Sequence, residues 1–125
     1  MSTPNPVHTV MRLLLRAIDA ADWMVVESLF HHQAEYEVSG QRPIRGRDGI
    51  MNYYRNVRSI RKGEHVIESM AAEGSNGICW GRFNAASQDG TEISVLFADV
   101  MQFEQNKIRK RRVYYCEPKA GIIER

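Results

Sequence analysis

Apolar residues recur at helical spacing early in the chain and in alternation later. Val7, Val10, Met11, Leu14, Ala17, Ile18 and Ala21 fall on one helix face, widened by Leu13 and Leu15. Asn5 followed by Pro6 is a good start for that helix, since proline is tolerated in the first turn. Asp22 is placed to cap a second helix, Trp23 to His31, with Trp23, Val26 and Phe30 inward. Ala34 to Val38 alternates as a short strand, Ser39-Gly40-Gln41 turns the chain, and Arg42 to Arg45 is expected to return. A third helix, Arg47 to Val57, places Ile50, Tyr53, Tyr54 and Val57 on one side, and Ser59 to Gly63 reads as a basic loop.

Strands follow: His65 to Ala72, Gly77 to Ser87, Val95 to Phe103 and Lys107 to Cys116. Asp89-Gly90 is a hairpin signal whose two positions both favour positive φ, and Gln105-Asn106 makes the next turn. The central strand puts Val95, Phe97, Asp99, Met101 and Phe103 on one face, so a lone acid stands among apolar side chains. Such a carboxyl is neutral, paired or used, because burying its bare charge is expensive. Helices grouped before hairpin-linked strands predict an α+β fold. Three N-terminal helices pack on the concave face of a curved, mainly antiparallel sheet and enclose a pocket.

The 125 residues suit one domain, with residues 1–6 a lead-in, 7–116 the folded unit and 117–125 a tail. A net charge of +2 predicts no general affinity for nucleic acid or membranes, and no apolar run reaches the roughly 20 residues that span a bilayer. The start lacks a signal-peptide pattern, so a cytoplasmic location is expected, with Cys79 and Cys116 reduced. His31 and His32 are adjacent near a helix end, and His8 and His65 stand isolated, so no metal site is read from them.

Leu15 to Trp23, Leu29-Phe30, Ala34-Glu35-Tyr36-Glu37, Arg45-Gly46-Arg47, Phe97-Ala98-Asp99-Val100, Lys107-Ile108 and Arg112-Val113-Tyr114-Tyr115 carry a family resemblance. Over residues 7 to 116 the chain resembles the SnoaL-like branch of the NTF2-like superfamily, which includes ketosteroid isomerases, polyketide cyclases and limonene epoxide hydrolases. The resemblance implies a cone-shaped α+β barrel, a pocket at its open end and a homodimer through the outer sheet face. Asp99 matches the late-strand aspartate of ketosteroid isomerases, but Leu14 stands at the helix tyrosine and Val38 at the general base. Phe97 stands where limonene epoxide hydrolases carry an arginine. The acid/base aspartate of SnoaL-like cyclases fits Asp99 best.

That layout directs Arg82, Asn84 and Ala86 into the pocket from one strand, and Arg111, Val113 and Tyr115 from the last. Tyr53 and Trp23 approach from the helices, and Met101 shares the face of Asp99. An arginine beside Asp99 would keep it ionised, favouring a base over an oxyanion donor and a ligand with a carbonyl or carboxylate. Leu96, Ala98, Val100, Trp80 and Tyr114 would form an outer apolar face for a second subunit. Two readings stand open. One is cofactor-free isomerase- or cyclase-type chemistry with Asp99 catalytic and no metal. The other is a non-catalytic binding or interaction module in which Asp99 only pairs with Arg82 or Arg111. The basic strand Lys107 to Arg112 splits its charges between faces and reads as solvated surface rather than a nucleic-acid stripe.

Overall fold

A computed structural model describes residues 5–116. The expected tail at 117–125 and most of the lead-in lie outside the described residues. Helix α1 spans Pro6–Asp19, with the Asn5 side chain accepting the Val7 N–H at 2.9 Å as its cap. Ala20 closes it, and Ala21, at φ 55°, turns the chain into α2, Trp23–Leu29, which Asp22 caps. Leu14, Leu15 and Ile18 are buried, whereas Leu13 is exposed, so the helix is covered on one broad face only.

The second helix is shorter than its apolar pattern suggests, because Phe30 already leaves it in extended backbone. Strand β1 runs Phe30–Val38, and β2 is Ile44–Arg45. His31 and His32 therefore lie on a strand rather than at a helix end. The His31 ring is buried within 3.4 Å of Glu104. Helix α3, Arg47–Asn52, passes into a π-helical turn, Tyr53–Val57. That wider turn buries Tyr54 and leaves Val57 in solvent, contrary to the simple helical stripe.

Strands β3 (Ile60–Glu73), β4 (Asn76–Ser87), β5 (Glu92–Glu104) and β6 (Lys107–Cys116) complete one six-stranded sheet. The supposed basic loop before His65 is the first part of β3. The order is β2-β1-β6-β5-β4-β3, antiparallel except for the β1–β6 pair. At Asp89-Gly90 only Gly90 takes positive φ, whereas Gln105 and Asn106 both do. The two-residue turn with paired positive φ is thus the one without glycine. A bulge between Ile67 and Ser69 lies opposite Gly81, where added side-chain bulk would meet the Val66 carbonyl, and it increases the local twist.

The helices cover the face of β5 that carries Val95, Phe97, Asp99 and Met101, all buried. Strand β4 pairs with β5 without a register shift, so its alternation is unbroken. Phe83 and Cys79 are consequently inside, and Trp80 is outside. Arg82 and Asn84 share the parity of Trp80, so the expectation that they face the pocket fails by one residue. Arg82 instead donates to Ser94 Oγ, which donates to Asn84 Oδ1, across the outer surface.

Candidate functional site

Strands β5 and β6 pair Met101 with Arg111, and Asp99 with Val113, which sets Arg111 on the diagonal from Asp99 on the inner face. On the other side Arg111 is level with Tyr36 of the parallel strand β1. The rest of the basic strand points elsewhere: Arg109 toward Glu104, Lys110 toward Glu35, Arg112 toward Glu37. Of the cluster read in the sequence, only Arg111 enters the core.

Asp99 is 0% exposed and Arg111 1%. The Arg111 Nε–H is shared between both Asp99 oxygens at 3.1 Å, and Nη2 donates to Asp99 Oδ2 at 2.8 Å. Nη1 donates to the Tyr54 hydroxyl at 2.6 Å, and the guanidinium lies 4.8 Å from the centre of the Tyr36 ring. Burial alone would disfavour the Arg111 charge. The Asp99 carboxylate, with Tyr54 and Tyr36, more than offsets this and holds the guanidinium above its ordinary range.

A cavity of about 240 Å³ opens on this group, lined by Arg111 with Tyr36, Tyr53, Tyr54, Tyr115 and Arg58, among others. The π-helical turn carries Tyr53 and Tyr54 to it, their rings packed edge to face at 5.3 Å. Burial raises the Tyr53 phenol, raises Tyr36 well above its usual value, and pushes Tyr115 up to about 12 against the pull of Arg111. These phenols stay protonated near neutrality and act as hydrogen-bond donors, not bases.

Of the residues singled out in the sequence, Arg111, Tyr53 and Tyr115 meet at this cavity. Asp99 lies behind Arg111 with both oxygens engaged and does not line it; Met101 is buried in the core, and Trp23 stacks on Tyr54 at 5.3 Å. Asn84 lines a separate groove of about 1240 Å³ between α1 and the β3–β5 edge. Arg82 lines neither hollow.

One residue that sequence reasoning passed over stands at both hollows. His65, taken as isolated, has its Nδ1 2.7 Å from Asp19 Oδ1, and its backbone N–H donates to Asp19 Oδ2 at 2.8 Å. Nothing local signals this pair, since 46 residues separate its members. Among the described residues, no group of three or more His, Cys, Asp or Glu is placed to hold a metal ion.

Three helices over the concave face of an unclosed, curved sheet, with a hollow beneath them, define an NTF2-like α+β fold. The chain belongs to the SnoaL-like domain family, whose model matches residues 11–111. An NTF2-like protein of unknown function from Burkholderia pseudomallei K96243 is similar at 13% identity, with 90% of this chain and 92% of that one covered and a TM-score of 0.83. A LEH-like epoxide hydrolase of M. tuberculosis is similar at 17% identity, with 89% and 83% covered and a TM-score of 0.80. A Catenulispora acidiphila DSM 44928 protein with a ketosteroid isomerase-like fold, in complex with trimethylamine, is similar at 16% identity, with 91% and 87% covered and a TM-score of 0.76. None of the curated proteins compared with the chain matches it. Among the described residues, no helix is long and apolar enough to cross a membrane.

Proposed function

We propose that this protein binds a small organic molecule carrying a carbonyl or carboxylate in the 240 Å³ cavity and performs cofactor-free acid–base chemistry on it, of the isomerase or cyclase type. The observation that carries the reading is the donor inventory of Arg111. A guanidinium has five N–H bonds, and Asp99 and Tyr54 occupy three. Two remain without a protein acceptor among the described residues, on a side chain that lines the cavity. An oxygen acceptor on the ligand would satisfy them, with the protonated hydroxyls of Tyr53 and Tyr115 beside it.

The Asp99–Arg111 pair is close to neutral as a unit, so it does not demand an anionic ligand. It would bind a ground-state carbonyl modestly and a developing enolate more strongly, which is the differential that lowers a barrier. Asp99 then acts through Arg111 by fixing its orientation, rather than by exchanging protons with substrate. The engaged state of Asp99 also supports the second reading, a binding module without turnover.

The test is binding of benzoate and acetophenone by calorimetry. The wild type is expected to bind benzoate at least about tenfold more tightly than the double variant Asp99→Leu/Arg111→Met, which removes the pair without stranding a charge. Equal affinities would overturn the reading. For the outer sheet face, Val66, Trp80, Leu96 and Tyr114 are between 39% and 45% exposed, which supports a second copy of the chain as their cover. Sedimentation of the wild type as a dimer and of Trp80→Glu as a monomer is expected; a monomeric wild type would refute it.

A further inference from the structure

We infer that His65, set by Asp19, is the general base that works opposite Arg111 in the inner cavity. The inference rests on the cavity being a ligand site and names the proton acceptor that Asp99 is not placed to be. Asp19 ends α1 and spends both oxygens on one residue of β3: Oδ2 on the His65 backbone N–H, Oδ1 on Nδ1. The backbone bond fixes where the carboxylate stands. A neutral imidazole facing a carboxylate at 2.7 Å carries its proton on Nδ1, which leaves the Nε2 lone pair as the acceptor. Among the described residues the ring's hydrogen bond runs through Nδ1, and none is made by Nε2.

The ring is held in place. It packs 4.4 Å from Phe83 and 5.2 Å from Phe97, and the side chain is only 3% exposed. It lines the same cavity as Arg111. A sphere of about 240 Å³ is about 8 Å across, so one small molecule can reach both walls. The chemistry this allows is proton abstraction next to a carbonyl. Nε2 takes the proton from the α-carbon, the C–H electron pair forms the enolate C=C bond, and the carbonyl π pair moves to the oxygen beside Arg111. Where a C=C bond lies next to the α-carbon the enolate extends over it, and return of the proton from Nε2 to the far carbon of that bond completes an isomerisation. Attack of the enolate α-carbon on a second carbonyl of the substrate forms a C–C bond and an alkoxide, which takes the proton from Nε2 and completes a cyclisation.

The test uses 5-nitrobenzisoxazole, whose ring opens to a coloured cyanophenolate when a base removes its one acidic C–H proton. The full-length wild type is expected to open it at least about 100-fold faster per site than His65→Gln. Asp19→Asn tests positioning: kcat is expected to fall with KM unchanged, and long-range nitrogen-15 NMR to show the neutral ring's proton moving from Nδ1 to Nε2. A His65→Gln rate within about threefold of wild type, or a wild type no faster than free imidazole, overturns the assignment. A wild-type ring protonated on Nε2 overturns it as well, without any turnover measurement. Loss of benzoate binding in the wild type would instead refute the cavity reading, so the two failures are distinct.

Discussion

Replacing Asp99 with alanine leaves Arg111 with its charge and without its counter-ion. Both side chains lie at or below 1% exposure, so no discount for solvent screening applies in the native geometry. A guanidinium does not escape by losing its proton. What would remain around Arg111 is the Tyr54 hydroxyl and the Tyr36 face. Stranding a buried ion in this way costs about 3–5 kcal/mol. Against a total stability of roughly 5–15 kcal/mol this is a large share, and for a domain of this size it lowers Tm by roughly 10–20 °C. Urea unfolding monitored by tryptophan fluorescence measures it. The double variant Asp99→Leu/Arg111→Met is expected within about 2 kcal/mol of wild type, because an apolar pair of similar volume replaces an ion pair at little net cost. The loss in Asp99→Ala should change little with added salt, since buried charges are weakly screened. A loss below about 1 kcal/mol would refute the reasoning and mean that Arg111 swings into the cavity and finds water.

The alkaline limb of stability should report the buried phenols. Tyr115 is raised from 10.0 to about 12 by burial, and a raised folded value means its contribution is intact below the unfolded pKa and is lost as pH climbs through the folded one. Stability is therefore expected to fall between about pH 10 and 12, and to fall less steeply in Tyr115→Phe; identical limbs would contradict this. Burial, followed by the Asp99 charge, pushes the Cys79 thiol up to about 12, whereas Cys116 is exposed. A thiol reagent should label one cysteine in the native protein and the second only after denaturant. Gly81→Ala forces a Cβ onto the Val66 carbonyl at the β3 bulge, a backbone atom that cannot step aside. It should cost at least about 2–3 kcal/mol by chemical denaturation, whereas a near-neutral change would mean that the bulge relaxes.

Much of the architecture was legible from local rules. Helical spacing from Val7 to Ile18 gave α1 its buried face, Asn5-Pro6 marked its start, and Asp22 was recognisable as the cap of α2. Alternation along β5 put Asp99 inside with Val95, Phe97 and Met101. The same rule, applied consistently, would have put Arg82 outside with Trp80; the outer tryptophan was the better anchor for the register of β4. The early end of α2 was less accessible, because Phe30, His31 and His32 continue an apolar pattern in extended backbone.

The chain alone determined which residues share a face, since that follows from the fixed geometry of a helix turn or a pleat. It also determined that a single acid had to be satisfied among apolar neighbours. Only the tertiary structure chose its partner. The offset of β6 against β5 selects Arg111 from five basic residues on that strand, and the π-helical turn delivers Tyr54 to the same guanidinium. Folding likewise joins Asp19 to His65. Contacts of this kind depend on how distant segments register against one another, and no local periodicity encodes that offset.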